Sequence, residues 1–169
     1  ELLLAFGGKR LTVFKLAVCD SSGVKVEALH EMEFPHWIWE ARVLRCSTEC
    51  KEKSPSDALE VAVGLSDNRV HIWSFAVTSA TAASSSTGDA KASEPTARAK
   101  LSACLSLDAF CEDRSLLYCM TFESCCRHRM HVIAGTVFSD IVIWSPLSAS
   151  SLTPQPVLAR LKGHDVSRR

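Results

Sequence analysis

The sequence lacks an excess of charge of either sign. Its 169 residues carry 19 Lys and Arg against 19 Asp and Glu, so the formal net charge is zero at neutral pH. A protein that coats nucleic acid needs a strong positive charge, and an acidic disordered tail needs a strong negative one. Both classes are excluded, and we expect no DNA partner.

Long apolar runs are also missing. The longest uninterrupted run near the start is 2–6, whereas a membrane-spanning helix needs about 20 apolar residues. No segment longer than about ten residues keeps apolar side chains at helical spacing. We therefore expect few helices, no membrane contact and a cytoplasmic location.

The motifs of common catalytic sites are absent as well. No Gly-x-Ser-x-Gly elbow occurs, and Gly7-Gly8-Lys9 lacks the leading glycine and the following Ser or Thr of a phosphate-binding loop. We expect the chain not to be an enzyme and to need no cofactor.

The cysteines do not form a recognisable framework. There are eight, irregularly spaced in a chain longer than small disulfide-stapled domains, so we expect reduced thiols. The densest cluster joins Cys119, Cys125 and Cys126 to His128 and His131. Its spacing does not match the paired ligands of structural zinc sites, and we expect no metal.

What the sequence does contain is a repeated pattern of short strands. Segments 61–74 and 132–145 align without a gap, so that Gly64 meets Gly135 and Trp73 meets Trp144. A looser copy lies at 3–15. Each copy predicts a hairpin whose first strand ends in glycine and whose second ends in an aromatic residue. Repeated small antiparallel sheets are typical of a β-propeller.

The end of the sequence points to one kind of propeller. Leu161-Lys162-Gly163-His164 matches the Leu-x-Gly-His that opens a WD repeat, and Trp73 and Trp144 match its closing Trp. The Asp that normally follows that Trp is a serine in both copies. We therefore predict degenerate WD repeats, with Gly64, Trp73, Gly135, Trp144, Gly163 and His164 in structural positions.

The expected fold is all-β: a partial WD-repeat β-propeller of about three four-stranded blades that this chain does not close. We predict an incomplete first blade at 1–34, a second blade at 35–105 with a low-complexity loop at 77–100, and a third blade at 106–162. Residues 163–169 would begin a truncated next repeat. A WD repeat takes about 40–45 residues, so we expect the chain to be a fragment.

Three phrases carry a closer resemblance: 3–11, 134–144 and 161–164. They resemble the N-terminal region of the WD repeat-containing protein 6 family, in the same order along the chain. The resemblance implies part of the first propeller of a longer protein that partners an FtsJ-type methyltransferase. That pair methylates the ribose 2′-hydroxyl of the wobble nucleotide in certain tRNAs. The partner holds the catalytic site, and the WD-repeat protein positions the tRNA.

A tRNA contact requires cations near aromatic side chains. The candidates are Lys9, Arg10, Arg127, Arg129 and Lys162, with Arg160 beside the last of these. The alternative interpretation is that these are solvated turn charges, as the zero net charge favours. The corresponding alternative function is a WD-repeat scaffold for protein complexes without an RNA role.

Two aromatic features have structural interpretations. We expect His36 and His164 to be buried hydrogen-bonding groups close to Trp73 or Trp144. Trp37 and Trp39 alternate along a predicted strand, so at least one of them should face solvent or an interface.

Overall fold

A computed structural model describes residues 2–19, 23–44, 59–78, 100–115, 117–124, 127–147 and 153–163. These ranges contain eleven strands and one short 3-10 turn at Arg127–Arg129, and no α-helix. The described ranges therefore hold no helix that could cross a membrane. The strands are β1 (Leu2–Gly7), β2 (Arg10–Cys19), β3 (Gly23–Glu33), β4 (Ile38–Leu44), β5 (Leu59–Leu65), β6 (Arg69–Thr78), β7 (Lys100–Phe110), β8 (Leu117–Phe122), β9 (Val132–Thr136), β10 (Asp140–Trp144) and β11 (Val157–Lys162).

The strands form three antiparallel sheets. Sheet 1 has the order β1-β2-β3, sheet 2 the order β4-β5-β6-β7, and sheet 3 the order β8-β9-β10-β11. Neighbours in each sheet are also neighbours along the chain, as is usual for consecutive strands. The expectation of an all-β chain with three successive small sheets is confirmed.

The limits of sheet 2 differ from those expected. β7 continues through Phe110 because its pairing with β6 extends to Arg69, past a bulge between Ile72 and Trp73. The break between the second and third sheets therefore falls after Phe110 and not after Leu105. The loop expected at 77–100 is also shorter, because β6 includes residues 77 and 78 and β7 begins at Lys100. Residues 79–99 lie outside the described part of the chain.

Sheet 2 lies between the other two sheets. Its β4 and β7 contact β1 and β3 of sheet 1, while β4 and β5 contact β8 of sheet 3. Because side chains alternate along a strand, β5 contributes to two cores: Val61 and Val63 to the first, Ala62 to the second. This arrangement fits neighbouring blades of a β-propeller.

Each core is formed by the facing sides of two sheets. The core between sheets 1 and 2 contains Leu11, Val13, Phe34, Ile38, Val61, Val63, Leu65, Phe75 and Leu101. The core between sheets 2 and 3 contains Leu44, Ala62, Val70, Ile72, Ala109, Cys111, Met120, Phe122, Met130, Val132, Ala134, Val142 and Trp144.

The predicted hairpin repeat reappears in the strand register. Gly64 pairs with Val70 and Gly135 with Ile141. Further from the turns, Val61 pairs with Trp73 and Val132 with Trp144. The ungapped alignment of the two segments therefore describes the same backbone positions.

The first hairpin has a shorter turn than the other two. Arg10, Arg69 and Asp140 are equivalent, because each opens its strand and pairs with the last residue of the strand outside it. One residue further, Leu11 pairs with Phe6, as Val70 pairs with Gly64. Phe6 and not Gly7 therefore occupies the Gly64 position, because the turn of the first hairpin is shorter.

Candidate functional site at the turn end of the sheets

The three hairpin turns lie at one end of the stacked sheets. They comprise residues 8–9, 66–68 and 137–139, and the connections between sheets pass beside them. Phe34 N donates to Lys9 O at 2.8 Å, and Cys111 N donates to Asn68 O at 3.2 Å. We call this the turn end. The opposite end carries the connection from β8 to β9 through Arg127–Arg129.

Two of these turns have the same backbone conformation. Asn68 has φ 67° and Ser139 has φ 63°, both in the left-handed region. Asn68 N donates to Leu65 O and Ser139 N to Thr136 O, each at 3.2 Å. A left-handed residue at the end of a short hairpin loop restores the strand pairing after the turn.

Asn68 also fastens the turn of sheet 2 to the connection that leads to sheet 3. Its Nδ2 donates to the carbonyl oxygens of Asp113 at 2.6 Å and Ser115 at 3.1 Å. In the turn of sheet 3 the polar group is instead Thr136, whose Oγ1 accepts from Phe138 N at 3.3 Å and Asp140 N at 3.2 Å.

The histidines do not take the expected positions. His36 is half exposed, and its Nε2 lies 3.4 Å from Asp67 Oδ2. The histidine beside Trp73 is His71, whose ring centroid is 6.4 Å from that of Trp73. Burial lowers the pKa of His71, although Asp108 opposes the shift. His164 lies outside the described residues.

The other structural repeat positions are in or beside the cores. Trp144 is fully buried, whereas Trp73 is partly exposed. A Cβ on Gly64 would meet the sulfur of Met120 and would lie 3.3 Å from Phe122, both in sheet 3. Gly163 lies against the backbone of Ser139, where a Cβ would overlap the carbonyl oxygen. These two glycines permit close approaches that a side chain would prevent.

A cleft of about 430 Å³ opens at the turn end of sheet 2, lined in part by Arg69, Phe110 and Arg114. The Arg69 guanidinium lies 5.1 Å from the centroid of the Phe110 ring and donates to both carboxylate oxygens of Asp108 at 2.8 and 2.9 Å. Arg114 is exposed and forms no ion pair with the described residues. Arg69 is thus neutralised, and Arg114 is available to an incoming anion.

The predicted cations at this end differ in their availability. Lys9 and Lys162 are exposed and form no ion pair within the described ranges. Arg10 lies 3.5 Å from Glu31, and both side chains are largely exposed. An exposed pair of this kind contributes little to stability and can be displaced.

Arg160 is held by two carboxylates. It donates to Asp140 at 3.1 Å and also pairs with the nearly buried Asp113. Burial alone would raise the pKa of Asp113, but hydrogen bonds from Ser115 and the guanidinium outweigh it, so the pKa lies below its usual range. The pKa of Arg160 is raised, first by the hydrogen bond to Asp140. Arg160 therefore serves the structure of sheet 3.

Arg127 and Arg129 lie at the opposite end. Arg127 pairs with Glu60 of sheet 2. Arg129 is exposed and lines a second cleft of about 400 Å³, where His131 Nδ1 lies 3.1 Å from Glu123 Oε2. The five predicted RNA-binding cations are therefore divided between two ends of the molecule and do not form one continuous patch.

Among the described residues, no group of three or more His, Cys, Asp or Glu side chains is placed to hold a metal ion. Cys104, Cys111 and Cys119 are free thiols. Burial raises the pKa of the Cys111 thiol to about 11, so it stays protonated and unreactive. Cys125 and Cys126 of the candidate zinc cluster lie outside the described residues.

Three aromatic side chains are exposed at the turn end. Phe138 is 72%, Trp37 60% and Phe6 44% exposed, while Trp39 packs against the core between sheets 2 and 3. Phe138 and Arg114 were not among the residues that the sequence singled out. The repeat alignment held the signal for Phe138, because it aligns with the ion-paired Asp67 of the other hairpin.

Comparisons with known proteins add no identification. No family model matches the chain, and a search of curated proteins finds no match.

Proposed function

We propose that this chain is part of a WD-repeat β-propeller. The proposal is supported by the three successive antiparallel sheets, by the common register of the β5–β6 and β9–β10 hairpins, and by Gly163 at the close of β11. The contact between His36 Nε2 and Asp67 Oδ2, at 3.4 Å, joins the start of sheet 2 to its own hairpin turn.

The function that follows is that of a non-catalytic subunit which positions tRNA for an FtsJ-type ribose 2′-O-methyltransferase at the wobble nucleotide. The observation that carries this proposal is the resemblance of segments 3–11, 134–144 and 161–164 to the WD repeat-containing protein 6 family. The unpaired cations Lys9 and Lys162 at the turn end are compatible with a role in holding phosphate groups.

One observation favours the second candidate, a protein-binding scaffold without an RNA role. The predicted cations are divided between the two ends, and Arg127 is neutralised by Glu60. A surface of mixed, partly paired charge is more typical of protein interfaces than of nucleic-acid interfaces.

Salt-dependent tRNA binding separates the two functions. A fluorescein-labelled, unmodified tRNA transcript is titrated with the purified chain at several salt concentrations, with duplex DNA of similar length as the control. The RNA role predicts that the logarithm of the association constant falls linearly with the logarithm of salt concentration, and that DNA binds more weakly. Absence of tRNA binding at low salt, together with retention of a protein partner, would establish the scaffold role instead.

A further inference from the structure

The strand register makes positions on the three sheets equivalent, and one set of equivalent positions is buried in two sheets and exposed in the third. Leu11, Val70 and Ile141 each stand second in the second strand of their hairpin. Leu11 is fully buried in the core between sheets 1 and 2, and Val70 in the core between sheets 2 and 3. Ile141 is 39% exposed and is not among the described core residues.

The surroundings of Ile141 form an apolar face on sheet 3. Cross-strand partners lie on the same side of a sheet, and Ile141 pairs with Leu161 of β11, which is 52% exposed. Two residues along, Ile143 pairs with Ile133, and both are partly exposed. These residues alternate with those that pack against sheet 2, so they lie on the opposite side. We call these four positions the sheet 3 face.

Sheet 1 has an apolar face on the side away from sheet 2. Val24 is 62%, Val26 is 56% and Leu3 is 46% exposed. Val26 pairs with Leu16, and Leu3 pairs with Phe14. Along β1 and β2 these residues alternate with residues of the core between sheets 1 and 2, so they lie on the other side of the sheet. We call these five positions the sheet 1 face.

The equivalent residues of sheet 2 show what such a face contacts. Leu3 corresponds to Val61 and Leu16 to Phe75, because β1-β2-β3 and β5-β6-β7 have the same register, with a bulge at the same place. Val61 and Phe75 are both buried in the core between sheets 1 and 2. The sheet 1 face is thus the side that, in sheet 2, packs against a preceding sheet.

The two exposed faces are the two halves of an interface that the chain makes twice. In both cores, the side that carries Leu11 or Val70 packs on the side of the following sheet that carries Val61 or Val132. Sheet 3 presents the first of these sides to solvent, and sheet 1 presents the second. A chain with both halves exposed is complementary to another copy of itself in head-to-tail order.

We propose that the sheet 3 face of one copy of this chain packs against the sheet 1 face of a second copy. Apolar surface of this kind marks sites of protein association. A head-to-tail contact forms a ring when its rotation closes. Two copies together contain six sheets, which lies within the range of about four to eight blades in β-propellers. The expected assembly is therefore a closed dimer. This inference goes beyond the proposed function, since it rests on the strand register and not on the RNA role.

The mass of the purified chain in solution tests the contact. Light scattering after gel filtration should give twice the 18.5 kDa of one copy, and the melting temperature should rise with protein concentration. Ile141→Glu on the sheet 3 face and Val26→Glu on the sheet 1 face should each give monomers, because the contact would bury an unpaired carboxylate. Leu105→Glu is the matched control: Leu105 is 41% exposed but belongs to sheet 2, so the dimer should persist.

A mixture of the two face variants distinguishes a head-to-tail contact from a symmetric one. Each variant alone has an altered half in every interface, whereas a mixed pair has one interface in which both halves are unaltered. Dimers should therefore reappear when Ile141→Glu and Val26→Glu are combined in equal amounts. Circular dichroism checks that each variant is folded, and Leu161→Glu with Val24→Glu provides a second pair at more exposed positions.

The inference is overturned if mixing restores no dimer, or if only one of the two faces responds to substitution. A folded monomer of the unsubstituted chain would also overturn it and would leave the two faces to sheets from outside this chain. Binding of tRNA is measured separately, so its absence would reject the RNA role and leave this contact standing.

Discussion

The hairpins β5–β6 and β9–β10 have the same register and the same turn conformation, yet different side chains hold their turns. In β5–β6, Asn68 bonds to two carbonyl oxygens of the connection to sheet 3, and Asp67 pairs with His36. In β9–β10, the Thr136 hydroxyl supports the turn from inside, and the position of Asp67 is taken by the exposed Phe138.

The difference shows which parts of a repeat are constrained. Strand pairing and close packing fix the backbone, so Gly64 and Gly135 or Trp73 and Trp144 can be aligned. The polar side chains of the two turns bond to different partners, so these side chains can differ between the hairpins while the backbone stays the same. The turn of sheet 3 has an exposed ring where the turn of sheet 2 has a carboxylate, so the same backbone position carries an ion-paired aspartate in one sheet and an exposed aromatic side chain in the next.

The largest difference between the two hairpins should appear at their tryptophans. Trp144→Ala should lower the free energy of unfolding by about 3–5 kcal/mol, as is usual for a fully buried aromatic side chain. Trp73→Ala should cost clearly less, because that ring is partly exposed. Urea denaturation of both variants measures the difference. Equal losses would show that the two cores are equally dependent on their tryptophan.

The stability lost on substitution should also differ between Gly64 and Gly135, but by less than between the two tryptophans. Gly64→Ala places a methyl group against Met120 and Phe122 and should destabilise the chain by about 1–3 kcal/mol, a typical cost of overpacking. Gly135→Ala meets only the Cys119 sulfur at 3.1 Å, and that exposed side chain can move. The denaturation midpoint should therefore fall further for Gly64→Ala. The reverse order would mean that sheet 3 is more tightly packed at this position than sheet 2.

Substitution by glycine should affect stability differently at the two left-handed turn residues. Asn68→Gly keeps the backbone conformation but removes two hydrogen bonds, with an expected loss of about 1–2 kcal/mol. Ser139→Gly removes the cost of a left-handed non-glycine residue, with an effect between neutral and about 1 kcal/mol stabilising. Thermal melts of the two variants provide the comparison, and a destabilised Ser139→Gly would contradict it.

The smallest expected effect is on pH dependence. Since burial holds the pKa of His71 below its ordinary value of 6.5, the unfolded chain binds the proton first as the pH falls. The contribution of His71 to stability is therefore present above pH 6.5 and is lost as the pH falls below it. The equivalent residue in the other hairpin is Val142. His71→Val should reduce the change in melting temperature between pH 7.5 and about 5.5. An unchanged pH dependence of the melting temperature would mean that other titrating groups cause it.

The sequence predicts the hairpins well because their register depends on local pattern. The ungapped alignment of 61–74 with 132–145 rests on glycine, aromatic and β-branched positions that the strands require. The first hairpin is a looser copy because Phe6 stands where the other two copies have glycine. The end of β7 at Phe110 could not be predicted, because it depends on pairing with a strand far away in the sequence.

The candidate site was harder to predict. Lys9 and Lys162 could be identified as turn charges, but sequence does not show that Arg160 is held between Asp113 and Asp140 or that Arg127 and Arg129 lie at the other end. The role of His36 depended on the position of Asp67 in space. Phe138 becomes visible as a site residue only when the structure shows that it is exposed.

The most direct test of the whole account is ultraviolet cross-linking of the chain to a bound tRNA, followed by mass spectrometry of the cross-linked peptides. The account predicts cross-links to peptides of the folded chain that decrease as the salt concentration rises. A folded chain that yields no cross-link to tRNA at low salt would contradict the RNA role.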